Sequence, residues 1–150
     1  MESQNKALPN SIIFGTGEYS TGYVAGEKSK SDKTIGVVSL VHFDLKYRKK
    51  IGDRIVLVGV NGKKFPGIRE HLKKNIEGVY AGLKTVHESF PDDKTCDNKA
   101  YLKALDTMEK GDIASLFTPD DTHFMIAKAT LEKGIHLMVT KPVVKTLKEH

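Results

Sequence analysis

Four short stretches of this chain gather residue types that can do chemistry. In the first, Gly15-Thr16-Gly17-Glu18-Tyr19 follows directly on the apolar run Ser11-Ile12-Ile13-Phe14. Glycines in a strand-to-helix turn let the backbone approach a pyrophosphate, and the free N–H groups at the helix start favour its charge. The usual three-glycine fingerprint would place its third glycine at position 20, where this chain has Ser20, and the next glycine is Gly22. Taken alone the turn also fits an ordinary Gly-rich connection. The second stretch, Asn61-Gly62-Lys63-Lys64, closes the run RIVLVGV. A site for NAD usually carries an acid there, which bonds the ribose hydroxyls. A carboxylate would repel a 2′-phosphate, whereas a lysine about 4 Å away attracts one by roughly 4 kcal/mol before desolvation, at an effective dielectric near 20. This tip therefore favours NADPH over NADH, although two solvated lysines would look the same.

The third stretch is Thr118-Pro119-Asp120-Asp121-Thr122-His123. Its proline fixes a turn after a strand, either as a wall beside a nicotinamide or as a plain connection. The fourth ends Thr140-Lys141-Pro142. A lysine at a strand end, held by the following proline, can point into a cleft and hydrogen-bond or share a proton with a substrate; singly, it also fits a surface lysine. Metal chemistry has little support, because the six histidines show no i, i+4 pair and the one cysteine, Cys96, has no partner.

The elements that must position these stretches alternate between strand and helix. Strands are expected over residues 11–14, 54–60, 85–90, 113–117 and 135–139. The clearest is 54–60, continuous and β-branched as in a parallel strand buried on both faces. Residues 26–34 read as a polar loop. Residues 35–51 fit both alternation and, through Val37, Leu40, Val41 and Leu45, one helical face, and are assigned to helix because basic residues and Gly52 follow. Phe65, Ile68, Leu72, Ile76, Val79 and Leu83 step as one amphipathic helix, with Pro66 in its first turn. A short helix is expected within 97–108, using Ala100, Leu102, Ala104 and Leu105. Another, capped by Asp120 or Asp121 and stopped by Gly134, would bury Phe124, Ala127 and Leu131. A last helix would begin near Val144. Such alternation predicts a parallel sheet with helices on both faces, whose ligands lie beyond the carboxyl ends of the strands.

Composition narrows the classes. The chain has 150 residues, with 24 Lys+Arg against 19 Asp+Glu and a net charge of +5. That length suits one domain with a real core. One cysteine excludes a disulfide scaffold. The longest apolar run is too short to span a bilayer, and polar residues 1–10 contain no signal-type stretch, so a cytoplasmic location without membrane contact is expected. The lysines are mixed with acids and form no stripe, which argues against nucleic acid.

In this order, the four stretches resemble the Gfo/Idh/MocA family of nicotinamide-dependent oxidoreductases. The likeness is sharpest over residues 111–142, GDIASLFTPDDTHFMIAKATLEKGIHLMVTKP: a strand, a Thr-Pro turn, a His at the next helix start, an Ala/Leu-rich helix, Gly, and a strand ending in Lys-Pro. The resemblance implies a Rossmann-type domain over residues 1–142, with 143–150 starting a helix toward a second α/β domain absent from this chain. That domain would carry substrate contacts and an interface for homo-oligomers. Carried over by position, Gly15 and Gly17 would lie against the pyrophosphate, with Thr16, Glu18 and Tyr19 beside them. Asn61, Gly62, Lys63 and Lys64 would face the adenosine ribose. Thr118, Pro119 and His123 would flank the dinucleotide, with Pro142 beside Lys141, which would match the family's active-site lysine. The implied reaction exchanges a hydride at the carbonyl or hydroxyl of a sugar or sugar acid. Two departures stand out: Thr140 replaces the family's Glu before that lysine, and the span from Gly17 to Asn61 is long. The long span, with GTGEYSTGYV and FPGIREHLKKN, resembles the sugar-acid-reducing subgroup typified by D-galacturonate reductase. A non-catalytic dinucleotide-binding module is the alternative.

Overall fold

A computed structural model describes residues 7–150 of the chain. The first six residues of the polar N-terminal stretch lie outside the described residues. β1 (Ser11–Phe14) leads into a short α1 (Glu18–Thr21), then a two-stranded hairpin of β2 (Tyr23–Val24) and β3 (Glu27–Lys28), and α2 (Val37–Tyr47). Next come β4 (Ile55–Val58), α3 (Phe65–Leu72), β5 (Glu88–Phe90), α4 (Ala100–Leu105), β6 (Ile113–Leu116), α5 (His123–Glu132) and β7 (His136–Val139). The five longer strands form one sheet in the order β5-β4-β1-β6-β7. All of its pairings are parallel.

The alternation of side chains along these strands divides the core in two. Ile12, Phe14, Val56, Val58, Ala114 and Leu116 meet α4 and α5 through Ala100, Ala104, Leu105 and Ile126. Ile13, Ile55 and Leu57 point the other way, onto Val38 and Phe43 of α2 and Phe65, Ile68 and Leu72 of α3. A strand apolar on both faces needs such double cover. This is the Rossmann-like parallel sheet, flanked by helices on both faces, that the sequence predicts. Strand order reverses beside β1, between β4 and β6, and a crevice opens there at the carboxyl ends. The amino ends are strapped shut. Arg54 donates to both oxygens of Glu88 at 2.7 Å and to the Thr107 carbonyl at 2.6 Å. The buried Asp112 carboxylate accepts from the Asn10 and Glu109 amides at 2.8 and 2.9 Å.

Several elements differ from expectation. Residues 35–51 do contain a helix, α2, but it buries Val38, Ser39, His42 and Phe43 and leaves Val37 and Val41 of the expected face exposed. The helix from Phe65 is shorter than its apolar pattern: a π-turn covers Lys73–Glu77, and Val79 is exposed. Asn75 donates back to the His71 carbonyl at 2.8 Å, competing with the regular ladder. Within 85–90 only Glu88–Phe90 pairs, since Thr85 gives both its amide and its hydroxyl to Glu77. Residues 26–34 include β3. α5 buries His123, Ile126 and Thr130 and leaves Phe124 and Leu131 exposed, so its packed face is rotated from the expected one. Asp120 and Asp121 lie in a 3-10 turn before α5 rather than capping it. No helix forms from Val144; bends and turns occupy residues 141–143 and 145–149. Among the described residues, no helix is long and apolar enough to cross a membrane.

Candidate functional site

The crevice at the carboxyl ends holds a cavity of about 520 Å³, within the range of small-molecule and cofactor sites. Of the residues singled out by sequence, Gly15, Thr16, Gly17, Asn61, Lys64, Thr118 and Pro119 line it. Three separate strand tips, those of β1, β4 and β6, bring them together.

The two glycines of the first tip serve different ends. Gly15 has φ +108°, and a Cβ there would stand 2.2 Å from the Phe117 carbonyl oxygen. It is therefore a packing glycine, which lets the β6 tip close against the β1 tip. At Gly17 a Cβ would meet nothing within 4 Å. The space beside its backbone is open on the cavity, as the approach of a pyrophosphate needs. Glu18 is turned aside: its carboxylate accepts from the Ser29 and Ser31 hydroxyls. These two bonds, Ser29 first, hold it below the usual carboxylate range. Tyr19, half exposed, stacks on Phe117 with the rings 6.4 Å apart, and the Lys33 ammonium lies 5.2 Å from its ring centre.

The β4 tip is clamped from outside. The Gly62 amide donates to the Thr95 carbonyl and the Asp97 amide to the Val60 carbonyl, at 2.9 and 2.8 Å. A Cβ on Gly62 would fall 1.7 Å from the Asp92 carbonyl oxygen, so buried Gly62 belongs to this clamp and not to the cavity wall. Asn61 accepts from the Lys63 amide at 3.1 Å, which orders the turn. Lys64 lines the cavity while Lys63, also exposed, does not. The expected pair of lysines is thus divided, with one of the two facing the crevice.

At the β6 tip, the Thr122 hydroxyl bonds the Thr118 hydroxyl at 2.6 Å and the Pro119 carbonyl at 2.7 Å. His123, which the resemblance places beside the dinucleotide, is 0% exposed and sits behind the cavity wall, so any part it has there passes through the residues it bonds. Its Nδ1 lies 2.7 Å from the Pro142 carbonyl oxygen and its Nε2 2.9 Å from that of Thr118. Lys141 and Pro142 are exposed beside the crevice, outside the cavity lining.

Sequence reasoning missed Asn98 and Tyr101, which bring a carboxamide and an aromatic ring to the cavity, and Met125 from the first turn of α5, whereas Thr122 of the third stretch does line it. The signal for the first two was present. The rule that ligands lie after strand ends applies equally to β5, and Asn98 and Tyr101 follow that strand. Among the described residues, no three His, Cys, Asp or Glu side chains converge to hold a metal ion.

An apolar cavity with polar groups at its rim, crossed by an open glycine backbone, fits a nicotinamide dinucleotide. Comparison with known proteins points the same way. The sequence pattern of one family, described as an oxidoreductase family with an NAD-binding Rossmann fold, matches residues 54–150. A curated relative, the uncharacterized oxidoreductase YdgJ of Escherichia coli (strain K12), is 50% identical over 38 residues. That segment covers 25% of this chain and 11% of the relative, so the matched part is a small fraction of that protein.

Proposed function

The chain belongs to the Gfo/Idh/MocA oxidoreductase family, and on that premise we propose that it is the cofactor-holding part of an NADPH-dependent oxidoreductase acting on the carbonyl or hydroxyl of a sugar or sugar acid. The observation that carries the dinucleotide reading is the cavity itself, which runs from the open backbone at Gly17 to Lys64 on one side and to Thr118 and Pro119 on the other. In this reading, Thr16 and Gly17 hold the pyrophosphate while Gly15 lets the β6 tip close beside them, Asn61 and Lys64 face the adenosine ribose, and Asn98 and Tyr101 extend the wall. Thr118 and Pro119 bound the nicotinamide half. When bound, NADPH supplies a hydride. Lys141 then orients the substrate oxygen or donates a proton to it. Thr140 in place of the family's Glu leaves that lysine without the neighbouring carboxylate. The sugar-acid assignment rests on the likeness to the D-galacturonate reductase subgroup. Substrate contacts and the oligomer interface are assigned to a second domain.

Preference for NADPH follows from Lys64, the lysine at the ribose tip that faces the cavity. Titrating NADPH and NADH by nicotinamide fluorescence tests it. The intact chain should bind NADPH more tightly, and Lys64→Ala should narrow the gap about tenfold, the loss expected when one ion pair with a phosphate is removed. Absence of binding of either dinucleotide at millimolar concentrations refutes the cofactor reading. Binding with no preference refutes the role given to Lys64.

A further inference from the structure

We infer that His123 is a positioning residue for the nicotinamide half of the crevice, a reading that rests on the dinucleotide assignment above. Its ring is fully buried and reaches two different strand tips. Nε2 lies 2.9 Å from the Thr118 carbonyl oxygen, at the end of β6, and Nδ1 lies 2.7 Å from the Pro142 carbonyl oxygen, after β7. Both partners only accept. A neutral ring donates one of these bonds and the doubly protonated ring donates both. Imidazole suits this task because its two nitrogens stand on opposite edges of a rigid disc.

The consequence reaches the cavity on both sides of the ring. Thr118 lines the cavity, and its turn packs against Gly15, where a Cβ would lie 3.3 Å from the Thr118 nitrogen. Pro142 follows Lys141 directly, so holding the Pro142 carbonyl fixes the base from which the lysine extends. Without this tie the second turn has weak anchorage: Thr140 donates to the Leu116 carbonyl at 3.1 Å, but Lys141, Pro142 and Val143 are exposed. By its donated N–H and by its packing between the two turns, His123 therefore preorganises a part of the crevice that a ligand would otherwise have to order. The adenosine side is held independently, by the bonds of residues 92–97 to the β4 tip.

This division supplies the test. NADPH and 2′,5′-ADP share the adenosine half, and only NADPH occupies the side beyond β6. In the chain carrying His123→Ala, which removes the ring's donor, NADPH affinity should fall about tenfold, the equivalent of one buried hydrogen bond, while 2′,5′-ADP affinity holds. In His123→Ala, added imidazole should restore NADPH affinity. Circular dichroism and thermal melts monitor folding, and a general loss of structure would weaken both ligands together. Equal loss for both ligands, or no loss for either, overturns the positioning role. Failure of the unaltered chain to bind either ligand overturns the dinucleotide reading itself, and this inference with it.

Discussion

At the scale of single residues, the histidines separate by burial. His42 lies on α2 with its Nε2 3.0 Å from the Ser115 hydroxyl, and among the described residues its Nδ1 has no hydrogen-bond partner. Charging such a ring means desolvating a cation, and burial pushes its pKa down to about 4. His87 and His71 are shifted in the same direction, also chiefly by burial. The sign follows directly. Between pH 6.5 and 4 the unfolded chain binds a proton at His42 that the folded chain refuses, so stability falls as pH drops through that window and is flat above it. His42 alone contributes up to about 3 kcal/mol to the fall, on the order of 1.4 kcal/mol per unit of pKa. Urea midpoints at pH 7 and pH 4.5 measure it. His42→Gln, neutral at both, should be less stable than the parent at pH 7 but lose less on acidification. A parent midpoint unchanged between the two pH values contradicts the account. These shifts were invisible in the sequence, whose apolar spacing points to Val37, Leu40, Val41 and Leu45 as the inner face of α2, whereas the packed face is Val38, Ser39, His42 and Phe43. The same blindness applied to His123: its type and place were legible, but its burial behind the wall depends on two backbone carbonyls brought near by other elements.

At the scale of elements, the β2–β3 hairpin and the loop after it are an addition clipped to the first tip. The clip is Glu18, whose carboxylate gathers the Ser29 and Ser31 hydroxyls, while Lys33 covers the Tyr19 ring. Glu18→Gln weakens two charge-assisted bonds at once and touches no core residue. Hydrogen exchange over residues 27–33 should accelerate several-fold while the melting temperature scarcely moves. A matching loss of global stability would mean that the hairpin belongs to the core. Buried strands were readable because β-branched runs between glycines have few other uses, as with β1 and β4. Elements shaped by long-range contacts were not. β5 is only Glu88–Phe90 and lies at the sheet edge, so its short polar sequence drew no attention to the crevice beyond it, and Asn98 and Tyr101 were overlooked. α5 was recognised as a helix but given the wrong face, because Phe124 and Leu131 outrank Thr130 in hydrophobicity while the packing turns on His123 and Ile126.

At the scale of the whole molecule, the placement of the crevice matters more than any one side chain. The alternation of strands and helices was enough to predict a parallel sheet, and a parallel sheet with β1 at its reversal point leaves a gap between oppositely directed crossovers. That gap is walled by both halves: Val58, Val60, Asn61 and Lys64 from the β4 side, and Phe117, Thr118, Thr122 and Met125 from the β6 side. Tyr101 adds α4, which spans the two. A ligand lying across β1 therefore bridges parts of the sheet that otherwise meet only through β1 and the helices. Binding should stabilise the molecule as one cooperative unit. At a free concentration near a hundred times its dissociation constant, a ligand specific for the folded state adds about 2.7 kcal/mol. For a chain of this length that corresponds to a rise in melting temperature of about 5–10 °C. Scanning calorimetry with saturating NADPH should show a single transition moved upward by that amount. A shift confined to part of the transition would mean that only one wall of the crevice is engaged. No shift at saturation would mean that the ligand fails to distinguish the folded chain from the unfolded one, which a cavity built from both halves of the sheet does not allow.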